Sequence, residues 1–218
     1  MDHSKIMSRI IRSYDSAVVR AYCWGRFKIL RQRFLDEIGQ YLPEEGVVLD
    51  VGSGIGMFGM YFAQQKPGLT IRGFDLAQDR INVSRKAASK LGLDNIQFDY
   101  GKAEEFRAQS GSGCQAIYIL DVIHHMPPEA VQGLIHAFYE TLEPGGRLLV
   151  KEVDTKPTYK RLFTHVLDLM MDPKHPPHYV ANADMRAMLR AAGFTVYQHA
   201  MIDYLPYPHM LYVCEKPA

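Results

Sequence analysis

The sequence predicts a doubly wound α/β fold, and two observations carry that expectation. Residues 47–56 read VVLDVGSGIG, an apolar run that ends in three closely spaced glycines, as a buried parallel strand does when it turns tightly into a helix. Apolar strand-like segments then alternate with helical patterns along the chain, which is the pattern of a mostly parallel sheet with helices on both faces. The seven expected strands are 47–51, 70–74, 96–100, 116–120, 147–153, 195–202 and 210–216.

The glycine turn reads as a ligand-binding loop, because a backbone passing against a ligand needs positive φ and no Cβ. Gly52, Gly54 and Gly56 form G-x-G-x-G, whereas a dinucleotide fingerprint places its third glycine one position later, where Met57 stands. No Gly-Lys-Ser/Thr follows to hold phosphates and magnesium. Asp50, just ahead of the turn, would repel a pyrophosphate but suits a ligand bearing an ammonium group.

VLDVGSGIG, followed by the acid that ends the next strand in IRGFDLAQ, resembles the first two motifs of the class I S-adenosylmethionine-dependent methyltransferases. The resemblance runs from about Val47 to the C-terminus in the order of elements. It implies a Rossmann-like seven-stranded sheet, mostly parallel with an antiparallel last strand, and S-adenosyl-L-methionine as cofactor. The cofactor-binding residues it implies are Asp50, Gly52, Ser53, Gly54, Gly56, Asp75, Leu76, Ala103 and Asp121. Asp75, nineteen positions beyond Gly56, is expected to accept hydrogen bonds from ribose hydroxyls, with a helix N-cap as the plainer alternative and Asp79 available for that task. The family's acid beside the adenine is replaced here by Lys102, with Glu104 two positions on, so only a backbone contact near Ala103 carries over.

Preceding the first strand, residues 4–42 are helical in pattern, with Phe27, Leu30, Phe34, Ile38 and Tyr41 recurring at steps of three and four and Pro43 as a stop. Residues 1–42 are therefore read as an N-terminal helical cap on a methyltransferase domain spanning 43–218, the whole being one compact domain. The cluster Tyr14, Tyr22, Trp24 and Arg26 either covers bound cofactor or substrate or packs on the sheet edge.

Beyond the glycine turn, helices are expected over 55–65 and 79–91, the second closed by Gly92. The fourth strand ends in Asp121-Val-Ile-His124-His125-Met126, and a helix over 128–142 leads through Pro144-Gly145-Gly146 into the fifth strand. An acid followed by such a histidine pair is common in the family's small-molecule members. In the doubly wound arrangement this loop lies beside the glycine turn, at the switch in strand order. His124 and His125 are accordingly the candidate catalytic bases, since neutral imidazole suits proton removal near pH 7, with His165, His175, His178 and His209 as secondary candidates; the alternative is a structural hydrogen bond to backbone.

An insertion is expected at about 155–182. Tyr159, Leu162, Phe163, Val166, Leu167 and Met170 mark a lid helix, and 172–178, with three prolines, a loop. It either shapes a substrate pocket or lengthens the core. A last helix over 183–192 precedes the terminal strand pair, whose connection at 203–209 is rich in aromatic residues.

Composition bounds the function. Hydrophobic content of 47% and charged content of 22% are globular values, and 218 residues suffice for one α/β domain. The formal net charge of +1 argues against wholesale nucleic-acid binding, yet residues 1–33 hold eight Lys or Arg and two acids. That excess is either a solvated helix face or an attraction for an anionic or carrier-bound substrate. No apolar run approaches the ~18 residues of a membrane span, and no signal-peptide core is present, so a cytoplasmic location is expected. Cys23, Cys114 and Cys214 lack metal-site spacing and are expected as buried thiols. His175 and His178 are flanked by prolines with no third ligand, so no metal is expected.

The expected function is methyl transfer to a largely apolar small-molecule acceptor at oxygen or carbon. The oxygen or carbon preference follows from LDVIHH standing where amino-group methyltransferases of DNA and protein carry an N/DPPY-type tetrapeptide. A nicotinamide-dependent oxidoreductase, disfavoured by Met57 and Asp50, and a non-catalytic S-adenosylmethionine-binding protein are the alternatives.

Overall fold

The computed structural model describes residues 2–153, 178–201 and 209–218. The expected lid segment over 155–177, with His165 and His175, and nearly all of the aromatic connection at 203–209 lie outside the described residues. Seven strands form one sheet in the order β3-β2-β1-β4-β5-β7-β6, the doubly wound order the alternation implied. The chain divides into two compact units, Met1–Ala116 and Ile117–Ala218.

In the first unit, α1 (His3–Ser13) and α2 (Ala17–Gly39) precede β1 (Gly46–Val51). The single helical pattern expected over 4–42 is thus two helices. Tyr14 is extended, and the Ser16 hydroxyl accepts from the Val19 amide, so Ser16 caps a new helix rather than continuing the old one. The second helix ends at Gly39, ahead of Pro43. Ile6 and Ile10 of α1, and Cys23, Phe27, Leu30, Phe34 and Ile38 of α2, are buried at steps of three and four.

From β1 the chain passes through α3 (Met57–Gln65), β2 (Leu69–Asp75), α4 (Gln78–Leu91) and β3 (Ile96–Tyr100). A 3₁₀ turn at Ala103–Glu105, the short helix α5 (Phe106–Ser110) and the start of β4 (Cys114–Leu120) follow. Strands β1, β2 and β3 pair in parallel, with Val48 opposite Ile71 and Ile71 opposite Ile96. Helix α3 starts two residues later than the glycine pattern suggested, because Gly56 is left-handed (φ 80°) and stands outside the helix as its cap. A Cβ at Gly56 would lie 2.4 Å from Phe98 Cζ, and one at Gly73 2.4 Å from Phe98 Cδ1. The Phe98 ring therefore packs directly on bare backbone of both the turn and β2.

The second unit completes β4 and adds a 3₁₀ turn at Ile123–His125, α6 (Pro128–Thr141), β5 (Leu142–Val153), α7 (Asn182–Ala191), β6 (Thr195–Ala200) and β7 (His209–Glu215). Strand β7 pairs antiparallel with both β5 and β6, Leu149 facing Val213 and Tyr197 facing Val213 from the other side. Strand β5 reaches back to Leu142, further than the expected start at Arg147. The Pro144–Gly146 stretch stays bonded to the end of the chain, Gly145 N–H to the Lys216 carbonyl and Lys216 N–H to that of Gly146. All three cysteines are buried and free.

Gly56→Ala is expected to cost about 2 kcal/mol or more of unfolding free energy, from left-handed strain and overpacking against Phe98. In a Phe98→Leu background the same change should cost at least about 0.5 kcal/mol less, and denaturant titration of the four-member cycle measures the difference.

Candidate functional site

In the first unit, the end of β2 organises the glycine turn. The Phe74 carbonyl accepts the amides of both Gly52 and Ser53 at 2.8 and 2.9 Å, and the Asp75 carbonyl accepts the amide of Gly101 at 3.2 Å. The Asp75 side chain extends the same function: Oδ2 accepts from Gly54 N–H and Oδ1 from Ala77 N–H, each at 2.8 Å. Asp75 is therefore not a helix cap. Nor is Asp79, since α4 begins after Ala77 without a side-chain cap and Asp79 sits inside its first turn. One amide per carboxylate oxygen leaves lone pairs on both for a further donor.

Gly52, Gly54 and Gly56 all have positive φ, between 55° and 80°, which is why three glycines stand here. Beside Gly54 and beside Gly101 a Cβ would meet nothing within 4 Å among the described residues, so the turn and the end of β3 both present bare backbone. Ser53 is buried, and its Oγ has no hydrogen-bond partner among the described residues. Such an orphaned hydroxyl is costly unless something else bonds it. Leu76 is exposed just past Asp75, and Ala103 is buried in the 3₁₀ turn. Asp50 is buried, and its Oδ2 lies 2.9 Å from where a Cβ on Gly59 would be, against the first turn of α3.

Tyr14, at the break between α1 and α2, donates its hydroxyl proton to the Ile55 carbonyl at 3.0 Å. Burial pushes its phenol well above the ordinary value, so the proton stays in that bond through the physiological range. The four-residue cluster read from sequence therefore divides: Tyr14 is buried against the turn, while Tyr22 and Trp24 are exposed. Asp99, on β3, belongs to a different network. Burial alone would raise its carboxyl, but Arg72 at 2.6 Å, with Gln97 and Arg85, holds it below the usual range.

The second unit holds a second polar cluster, built by two consecutive residues of β5. Successive side chains on a strand point to opposite faces, so Lys151 and Glu152 brace the segment after β4 from two sides. The fully buried Lys151 ammonium lies 2.5 Å from Asp121 Oδ1, while Asp121 N–H donates to the Lys151 carbonyl at 2.9 Å. Asp121 has φ 58°, left-handed for a residue with a side chain. Glu152 Oε1 accepts the amides of Val122 and Ile123 at 2.9 and 2.6 Å, and Oε2 lies 2.7 Å from His124 Nδ1. His124 is 4% exposed, with the His125 ring centroid 4.1 Å from that of its own ring. His125 itself is exposed, so the two candidate bases occupy different environments.

A carboxylate only accepts, so His124 donates Nδ1–H to Glu152 and its Nε2 is the basic nitrogen. Glu152 and Lys151 were not singled out in the sequence. The available signal was two adjacent charges, LVKEV, inside an otherwise apolar strand.

A methyltransferase domain matches residues 24–199 of the chain. The ubiquinone biosynthesis O-methyltransferase of Acinetobacter baumannii (strain AYE) is 24% identical over 183 residues, covering 81% of this chain and 75% of that protein. The ribosomal RNA small subunit methyltransferase G of Alkaliphilus metalliredigens is 33% identical over 82 residues, and the chain spans only 34% of its length. Among solved structures, an O-methyltransferase family protein from Burkholderia thailandensis superposes with a TM-score of 0.70 at 18% identity, covering 87% of this chain and 57% of that one. The PH0226 protein of Pyrococcus horikoshii OT3 gives 0.69 at 17% identity, covering 93% and 92%. At such identities the structures establish the shared fold.

Asp75→Asn substitutes an amide NH₂ for one acceptor and is expected to speed hydrogen exchange at Gly54 or Ala77 at least about tenfold, the kinetic equivalent of ~1.4 kcal/mol, with the rest of β2 still protected. Lys151→Met is expected to lower unfolding free energy by about 1–3 kcal/mol, because it leaves the Asp121 carboxylate without its cation. Denaturant unfolding reads that loss.

Proposed function

The chain belongs to the S-adenosylmethionine-dependent methyltransferase family, and from that premise we propose that it methylates a largely apolar small-molecule acceptor at oxygen or carbon. The observation that carries the reading is the His124–Glu152 pair, a buried imidazole whose Nδ1–H is held by a carboxylate. Methylation of a hydroxyl or an activated C–H releases a proton, and a neutral imidazole oriented by a carboxylate is the kind of group that takes one. Support for a small acceptor comes from the alignment with the Acinetobacter O-methyltransferase, which spans 81% of the chain against 36% for the ribosomal RNA enzyme.

The first unit's residues fit the cofactor. The Asp75 carboxylate has lone pairs for ribose hydroxyls, the Ser53 hydroxyl lacks a partner among the described residues, and the space beside Gly54 and Gly101 accommodates a ligand against bare backbone. Leu76 and Ala103 flank that space in sequence, and Gly52 and Gly56 hold the turn open. Asp50 lies buried against the first turn of α3, next to the glycine turn. S-adenosylmethionine supplies a methyl group on a sulfonium, a leaving group that needs no metal. Tyr14 fixes the Ile55 carbonyl and so the shape of the turn.

In the second unit, Glu152 performs two tasks at once. Its Oε1 holds the backbone at Val122 and Ile123, and its Oε2 keeps the His124 proton on Nδ1, so that Nε2 takes the acceptor's proton as the methyl bond forms. The carboxylate then stabilises the imidazolium. Asp121, pinned by Lys151, sets the direction in which the His124 segment leaves β4.

Calorimetry is expected to show S-adenosylmethionine and S-adenosylhomocysteine binding at micromolar-scale Kd and NAD not binding, with Asp75→Asn weakening the former by about 1–3 kcal/mol. Preferential binding of NAD would refute the assignment. With an identified acceptor, His124→Ala should lower kcat by about 10²–10⁴ while cofactor affinity holds. Glu152→Gln should move the acidic limb of the pH–rate profile to lower pH, since an imidazole without its carboxylate is less basic. Full activity of His124→Ala with loss in His125→Ala would transfer the base role to the exposed ring.

A further inference from the structure

Within the first unit, the outer surface made by α1, the first half of α2 and the end of α4 has no part in the chemistry above, and its composition is unusual. Ile6 and Ile10 turn α1's apolar side inward. Lys5, Arg9 and Arg12, four and three residues apart, form a row on the opposite side, and with Ser4 and Ser8 they line an open groove of about 550 Å³.

The row continues onto α4. Arg9 donates to the Leu91 carbonyl at 3.2 Å, and both Lys86 (2.6 Å) and Lys90 pair with Asp15 at the junction of α1 and α2. Arg20 donates to the carbonyls of Tyr14 and Asp15 at 2.9 and 2.8 Å. Lys5, Arg9, Arg12, Arg20, Lys86 and Lys90 thus share this surface with two carboxylates, Asp15 and the α1 cap Asp2 beside Lys5, in a chain whose net charge is only +1.

The adjoining face of α2 has the reverse character. Its inward side is Cys23, Phe27, Leu30 and Phe34. Its outward side over the first turns should be polar in a helix bathed by water, yet it carries Ala17, Val18, Ala21, Tyr22 and Trp24, with no charge on that side until Lys28. Val18 is 79% exposed, Trp24 56% and Tyr22 44%. Val18 follows Asp15 by three residues, so this apolar face begins at the rim of the cationic patch.

Cations bordering exposed aliphatic and aromatic side chains are the combination that settles at a bilayer surface, where basic groups meet lipid phosphates and Trp, Tyr and Val enter the headgroup layer. A second copy of the chain on the same surface would, in a two-fold contact, set the cationic patch against itself. A free polyanion would answer the cations but leave the apolar face in water. We propose that this surface docks the protein peripherally on an anionic lipid bilayer. No helix among the described residues is long and apolar enough to cross a membrane. The proposal is independent of which acceptor the enzyme uses.

Trp24 is the chain's single tryptophan, so its fluorescence reports on this surface alone. With vesicles of phosphatidylglycerol and phosphatidylcholine, the full chain is expected to cosediment and its emission to shift to the blue; with phosphatidylcholine alone it should do neither. Binding should weaken steeply between about 0.1 M and about 0.5 M salt as screening shortens. Lys5→Gln and Arg12→Gln should each lower partitioning about fivefold, while the charge-preserving Lys5→Arg/Arg12→Lys pair retains it. Val18→Ser should weaken binding without altering its salt dependence. S-adenosylhomocysteine binding, measured in parallel, verifies that each protein is folded. Failure of the folded wild-type chain to bind anionic vesicles overturns the proposal, as does vesicle binding indifferent to salt and to Lys5 and Arg12. Salt-sensitive capture of RNA or of an acidic protein without vesicle binding also overturns it.

Discussion

The first unit depends on the last two residues of β2. Phe74 and Asp75 present two carbonyls and one carboxylate to the amides of Gly52, Ser53, Gly54, Ala77 and Gly101. A turn with three positive-φ glycines has little conformational preference of its own, and glycine loses the most freedom on ordering. Fixing it requires acceptors that are themselves immobile. A strand buried between two parallel neighbours supplies them, so the sheet transmits its rigidity to the loop. The carboxylate that orders the loop also retains capacity toward a ligand, which ties loop geometry to cofactor recognition through one side chain.

The second unit solves a similar problem with the same chemical means. Glu152 accepts two amides of the segment after β4 and the imidazole N–H of His124, so one buried carboxylate sets both the backbone path and the tautomer. Lys151, on the other face of β5, neutralises Asp121 and offsets the strain of its left-handed backbone. Buried charges are expensive unless they are paired and hydrogen-bonded, and each charge here is. Placing them on consecutive positions of a central strand keeps the two pairs apart, one on each side of the sheet.

The N-terminal helices show how far an average can hide a local field. A formal charge of +1 describes the whole chain, yet the α1–α4 surface sets six cations against Asp2 and Asp15, beside a helix face with no charge before Lys28. Screening limits the reach of exposed charges to roughly 10 Å, so it is this local arrangement that an approaching surface meets, and the whole-chain average does not act at that range. Tyr14 links the same region to the glycine turn, since its hydroxyl bond to Ile55 begins at the residue where α1 ends.

The sequence by itself determined the α/β alternation, the glycine turn and the acid at the end of β2, because each is written in local terms: apolar runs, residues that permit positive φ, and a strand that must end where its pattern stops. Boundaries were legible to within a few residues, save where a side chain capped a helix unexpectedly, as Ser16 does, or where backbone pairing carried a strand through Pro144–Gly146. The tertiary structure alone decided what the polar residues do. Asp75 could be a cap or a ligand acceptor on sequence grounds, and only the approach of Gly54, 21 positions away, shows that it clamps the turn. His124 and His125 are equivalent in sequence, and only Glu152, 28 positions on, distinguishes them. Lys151 and Glu152 look like interruptions of an apolar strand until Asp121 and His124 are brought beside them. Hydrogen bonds between distant residues leave no periodic trace in a chain, so the partners of buried charges emerge only when the sheet has assembled.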